Sequence, residues 1–382
     1  MLAIPRSPPV YRENILRISS NVLALAFLFL TVLGQPRPAS ADPEEPSLRQ
    51  MIGQMLMVGF VGSSEEADGY RTVLQQAFEG KIGGVLYLGR NNPSLDSGRQ
   101  MKGGPQRVSW TRLLIAIDQE GGHIERLTNA VGFEEIPGAA SVSETLDPDA
   151  AKILYKELGG GLASLGFNLN LGPVVDLNIN PDNPIIGRLG RSYADDPKRV
   201  ETYARAFVDG HRASGVLTSL KHFPGHGSSI DDSHKGSADV TKTWKEAELM
   251  PYTALIASGH ADMIMSSHVM NGRLSGQKRI PASLSPKTLI DLLRGSLRFK
   301  GVVITDDLQM RAITDRLGFE EAVRLAVLAG NDILVFANDK DPDPQIPEKA
   351  AAVLAREAQR SPEMLERIRT SYANIMSLKS RL

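Results

Sequence analysis

The chain has no cysteine. That excludes disulfides, thiolate nucleophiles and cysteine-based metal sites, and it fits an oxidising compartment without requiring one. It also lacks charge of one sign: 43 Lys and Arg stand against 44 Asp and Glu, a formal net charge of -1. No long basic run occurs, so nucleic acid is not an expected partner. Long apolar runs are missing too, apart from one near the N-terminus, Val22 to Leu33 (VLALAFLFLTVL). Arg6, Arg12 and Arg17 precede it. Gly34, Pro36, Pro38 and the small triplet Ala39-Ser40-Ala41 follow it. This order is that of a secretory signal peptide with an A-x-A cleavage site. The run is too short to span about 30 Å of hydrocarbon as a helix. The expectation is cleavage after Ala41, no lipid anchor for want of a cysteine, no stable membrane insertion afterwards, and a periplasmic or secreted protein formed by residues 42–382.

What is present is repetition. Eight short apolar stretches recur: 54–60, 83–89, 113–118, 169–177, 215–223, 261–269, 301–307 and 331–338. Between most of them lie segments with apolar residues three and four apart, the pattern of amphipathic helices. Strands alternating with helices imply a parallel sheet covered by helices. Eight repeats favour closure into an α/β fold of the (β/α)8 TIM-barrel type. The segment NNPSLDSGRQMKGGPQRVSW (91–110) breaks the pattern with Gly-Gly-Pro, and an irregular or shortened helix is expected there. The tail from Pro347 reads as one or two closing helices. No linker or second compositional domain follows.

In such a barrel, active sites sit at the C-terminal ends of the strands. The polar residues fall there: Asp118, Asp176, Lys221, His222, His268 and Asp306 each end a predicted strand. A buried strand tolerates such groups poorly unless they are partnered. In GVVITDDLQM, one of Asp306 and Asp307 is expected to cap the following turn while the other faces the barrel mouth, where a carboxylate could attack an electrophilic carbon. In KHFPGHGSSIDDSH (221–234), Asp232 can orient His234, an imidazole able to donate and accept a proton, on a loop given freedom by Gly225 and Gly227. Lys221 and His222 cannot both face one side of a regular strand, so a bulge or turn is required if both reach a substrate. Asp118, Arg126 and Arg191 add donors and acceptors suited to a polyhydroxylated ligand. A different reading makes His222, His226, Asp232 and His234 the ligands of a metal-dependent hydrolase; a non-catalytic sugar-binding protein is another.

KHFPGHG followed by DSH, together with IAIDQEGG, GPVVDLN, GRSY, SSHV, PASLS and GVVITDDLQM, resembles glycoside hydrolase family 3, in particular its β-N-acetylhexosaminidase branch of the peptidoglycan-recycling type. The matching motifs run in order from about residue 50 to residue 335. The resemblance implies Asp306 as nucleophile, His234 with Asp232 as acid/base, and Asp118, Arg126, Arg191, Lys221 and His222 as binders of a terminal N-acetylglucosamine. It implies a retaining hydrolase of peptidoglycan fragments or chitooligosaccharides, with no metal and no cofactor. A phosphorylase on the same scaffold is the nearby alternative, since a histidine acid/base repels phosphate less than a glutamate does. A monomer is expected.

Overall fold

Eight short strands pair side by side in chain order: β1 (Leu56–Gly59), β2 (Gly84–Tyr87), β3 (Leu114–Ile117), β4 (Leu169–Asn170), β5 (Leu217–Phe223), β6 (Met263–Ser266), β7 (Val302–Asp307) and β8 (Ile333–Phe336). All pairs are parallel, and β8 returns to β1, so the sheet closes into a barrel. The computed structural model describes residues 45–277 and 279–382, and of residues 97 and 98 only the backbone. The segment read as a signal peptide, 1–41, lies outside the described residues. Ser47–Leu382 forms one compact unit.

The period of two along each strand separates two apolar layers. Leu86, Leu114, Ala116, Met263, Met265, Val302 and Ile304 belong to one cluster, which fills the barrel interior and continues through both faces of β8 to Ala326, Leu354 and Ile368 of the helices outside it. Their neighbours Val85, Tyr87, Ile115, Ile117, Ile264 and Val303 belong to another, shared with Tyr70, Leu158 and Phe207 of the surrounding helices. This parity decides what reaches the mouth. Asp118 continues the inward series Leu114–Ala116, Lys221 continues Leu217–Ser219, and Asp306 continues Val302–Ile304. Asp307 falls on the opposite parity, with Val303 and Thr305.

Three long helices start where the sequence supplies caps. Asp147 accepts from the Ala150 amide before Pro148–Ser164, Asp196 from Lys198 and Arg199 before Pro197–Ala213, and Ser361 from Met364 before Pro362–Lys379. In each case proline takes the first helical position, where its missing N–H is no loss. Two helices close the chain, Ile346–Arg360 and Pro362–Lys379.

Three readings change. The 91–110 segment holds a 14-residue helix, Leu95–Val108, with Pro105 inside it. Proline there leaves the Met101 carbonyl without its helical donor. Two buried hydroxyls, Tyr70 at 2.9 Å and Tyr87 at 3.0 Å, donate to that oxygen instead. The fourth strand is regular only over Leu169–Asn170, because Pro173 has no N–H for the ladder. Pairing with β5 resumes beyond it: Lys221 N donates to Pro173 O at 3.1 Å and Val175 N to Lys221 O at 2.8 Å. Lys287–Ser296 is a π-helix rather than an α-helix, for which we have no physical account.

Candidate active site

The C-terminal ends of the strands surround a cavity of about 250 Å³. Its wall carries Asp118, Arg126, Arg191, Lys221, His222, His234 and Asp306, seven of the eight residues to which the family resemblance gives a role. The eighth, Asp232, stands behind His234.

One side is a charge network. Lys221 Nζ lies 2.8 Å from Asp118 and 2.6 Å from Glu120. Arg191 forks onto both oxygens of Glu120 at 2.8 Å, a planar bidentate match. Arg126 approaches Asp118 at 3.5 Å, and its buried Nε has no partner among the described residues. Burial pushes the Asp118 and Glu120 carboxyls up, but the cations Lys221, Arg126 and Arg191 more than offset it, and both end below the usual carboxylate range. The result is a rigid, ionised patch of acceptors and donors.

Sequence reasoning did not assign Glu120, although it lies within IAIDQEGG. The signal was available: a second carboxylate two residues past Asp118 keeps the same parity. It also left Asp176 without a role. This carboxylate accepts from His222 Nδ1 at 2.7 Å and from the backbone amides of His222 (3.2 Å) and His226 (2.8 Å). It fixes the His222 ring, whose Nε2 accepts from Arg191 Nη2 at 3.4 Å.

Lys221 and His222 both reach the cavity because β5 bulges. Leu220 pairs with Ile264 and Phe223 with Ser266, three steps on β5 against two on β6. An extra residue of this kind re-aims side chains near active sites.

Asp306 and Asp307 divide their tasks as parity requires. Asp307 Oδ1 accepts from the amides of Gln309 at 3.1 Å and Ala337 at 3.0 Å, so it fixes the turn, and burial pushes it up to about 6. Asp306 accepts one backbone bond, from Asp307 N at 2.8 Å. Burial raises its carboxyl, yet His268, His222 and His234 outweigh that and bring it down to about 2. His268 is held by Ser283 Oγ at 2.7 Å and the Asp307 carbonyl at 3.0 Å. An ionised carboxylate ringed by imidazoles is suited to attack an electron-poor carbon.

The 224–240 loop supplies the imidazole. Asp232 Oδ1 accepts from His234 Nδ1 at 3.0 Å and from His234 N at 2.9 Å. With Nδ1 so committed, Nε2 is the nitrogen left for proton transfer. The His234 side chain is 55% exposed, so nothing but the loop itself fixes its reach. His226 Nε2 meets Ser233 Oγ at 3.1 Å, tying the start of the loop to the middle of the Asp-Ser-His triplet. Thus His222 Nδ1, His226 Nε2 and His234 Nδ1 each serve a different partner, and among the described residues no group of three or more His, Asp or Glu is arranged to hold a metal ion.

Glu248, buried under the loop base, accepts from Gly227 N at 3.1 Å and Lys245 N at 3.3 Å. Burial pushes this carboxyl up to about 7. Its folded value lies above its unfolded one, so the folded state holds a proton that the unfolded state releases. Stability from this group is full below the unfolded value and is lost as pH rises through about 7. Glutamine, the isostere of the protonated acid, does not titrate. Glu248→Gln should therefore gain stability relative to the parent between pH 5 and pH 8, by on the order of 2 kcal/mol. Urea unfolding at the two pH values reads the change; a difference that stays constant would place the charge elsewhere.

The chain matches the family model "Glycosyl hydrolase family 3 N terminal domain" over residues 47–371. It is 33% identical over 321 residues to beta-hexosaminidase LpqI of Mycobacterium tuberculosis, covering 80% of this chain and 78% of the relative. It is 34% identical over 264 residues to a beta-hexosaminidase of Tolumonas auensis, covering 68% and 76%. Among solved structures, a family 3 beta-N-acetylglucosaminidase from Paenibacillus superposes with a TM-score of 0.79 at 33% identity, over 88% of this chain and 62% of that one. A beta-N-acetylhexosaminidase from Beutenbergia cavernae gives 0.78 at 30% identity, over 88% and 99%.

Proposed function

The chain belongs to glycosyl hydrolase family 3, and from that premise we propose that it is a retaining exo-β-N-acetylglucosaminidase acting on peptidoglycan fragments or chitooligosaccharides. One observation carries the reading: a strand-borne carboxylate, Asp306, and a loop-borne imidazole, His234, line the same cavity. The ionised patch of Asp118, Glu120, Lys221, Arg126 and Arg191, with His222, binds the hydroxyls of the terminal sugar. Asp306 attacks the anomeric carbon as His234 Nε2–H protonates the departing glycosidic oxygen. The bond to the aglycone breaks and a glycosyl ester on Asp306 forms. His234, now deprotonated, accepts a proton from water as that water attacks the same carbon and frees Asp306, so two inversions leave the β configuration. Asp232 holds the ring and stabilises the imidazolium that exists before the first step and forms again in the second. The N-terminal segment with the pattern of a signal peptide supports action in the periplasm or outside the cell; no helix among the described residues is long and apolar enough to cross a membrane.

The test is proton NMR during hydrolysis of a chromogenic N-acetyl-β-glucosaminide. The β-anomer of free N-acetylglucosamine should appear first and mutarotate afterwards. First appearance of the α-anomer would refute retention, and a sugar 1-phosphate formed only with added phosphate would make the enzyme a phosphorylase.

A further inference from the structure

The cavity that holds Asp306 adjoins a second, larger one of about 660 Å³. The two share His234, Asp307, Met310 and Asp339; Asp118, Glu120, Lys221 and Asp306 line only the first. His234 therefore stands at the seam. On the reading given above, it protonates the glycosidic oxygen, which is the first atom of the leaving group. The sugar lies on the Asp306 side of that atom and the aglycone begins on the other, where the second cavity lies.

The chemistry of the two cavities differs. The first is walled by ionised groups. The second has a floor of Met310, Leu317, Phe319 and Phe336, with Leu317 and Phe319 only partly buried and the Phe319 and Phe336 rings 5.8 Å apart. Most of its rim charges are balanced: Asp339 pairs with Arg90, Asp343 with Lys349 at 2.6 Å and Arg311 with Asp315 at 3.2 Å, and Lys340 and Asp341 add one charge of each sign. A paired rim selects weakly by charge, whereas an apolar floor rewards apolar area.

We infer that this second cavity is a recognition site for an apolar arm on the aglycone, so that alkyl or aryl surface beyond the first atoms of the leaving group raises the efficiency of cleavage over the same glycoside without it. This deepens the proposed function and rests on it.

Three β-N-acetylglucosaminides test it on the unaltered enzyme: methyl, hexyl, and a 2-(2-methoxyethoxy)ethyl glycoside of about the hexyl length. Methyl and hexyl demand similar acid assistance, so the added arm is what distinguishes them, and the ether controls for length. The hexyl compound should exceed both others in kcat/KM by about ten-fold or more, the effect of burying roughly two methylenes. In Leu317→Asn, checked for folding by circular dichroism, the hexyl-to-methyl ratio should fall at least three-fold. Equal efficiencies for the three on the parent enzyme would overturn the inference and leave the hydrolase reading intact. Failure to cleave any of them, or a chromogenic N-acetylglucosaminide, would instead refute the hydrolase reading itself.

Discussion

Replacing Asp306 with alanine should lower turnover of every N-acetylglucosaminide by about three orders of magnitude or more while the protein still folds. The side chain sits at the open end of β7 and makes one backbone bond, to the Asp307 amide, so its removal leaves no large cavity in the core. What is lost is the only inward carboxylate on that strand, and water is a far poorer nucleophile when nothing positions it. The neighbouring carboxylate is no substitute, because Asp307 is committed to the amides of Gln309 and Ala337. The substitution has a second, qualitative signature. It opens the space from which the carboxylate attacks, and azide supplied with an activated aryl substrate should fill it and give the α-glycosyl azide, the product of a single inversion. Retention of more than about 1% of parental turnover, without azide and with the β-anomer still formed first, would remove Asp306 from the nucleophile's role.

The strand that carries these two carboxylates illustrates what the sequence makes legible, although the residues alone leave open which of Asp306 and Asp307 faces the mouth. Alternation along a strand is a local property, so Val302, Ile304 and Asp306 read as one face from the order of residues alone. The same holds for Leu114, Ala116 and Asp118, and all eight strands lie at their expected places because each is a short apolar run bounded by turns. The misreadings have non-local causes. The Leu95–Val108 helix tolerates Pro105 because Tyr70 and Tyr87, 31 and 14 residues away from Met101, supply the missing donors; no window around Gly-Gly-Pro contains them. The role of Asp176 depends on a strand that abandons regular pairing at Pro173, and on two amides about 50 residues later, one in β5 and one in the loop after it. Glu120 is a different case. It obeys the same alternation as Asp118, but its Arg191 partner is 71 residues away, and without that partner a second acidic residue reads as solvated surface.

Replacing His234 with alanine should divide substrates by their leaving groups. Where the departing oxygen is strongly basic, as in an alkyl or sugar aglycone, the bond cannot break without a proton, and kcat/KM should fall by about 10³-fold. Where it is a dinitrophenolate, no proton is needed to form the glycosyl-enzyme, and kcat/KM should fall by less than about ten-fold. The second half of the reaction is then exposed. Water must still attack the Asp306 ester, and with no imidazole to take its proton this step becomes slow. The glycosyl-enzyme accumulates, so the phenol should appear as a burst close to one equivalent per enzyme, followed by a slow steady state with a depressed KM. Asp232→Asn keeps a partner for Nδ1 but removes the charge that stabilises the imidazolium, so it should show the same division in weaker form. The pattern separates proton transfer from mere support of the loop. Loss of packing would slow good and poor leaving groups alike and would give no burst. Equal damage across leaving groups would therefore detach the imidazole from the chemistry, even if total activity fell as far as expected.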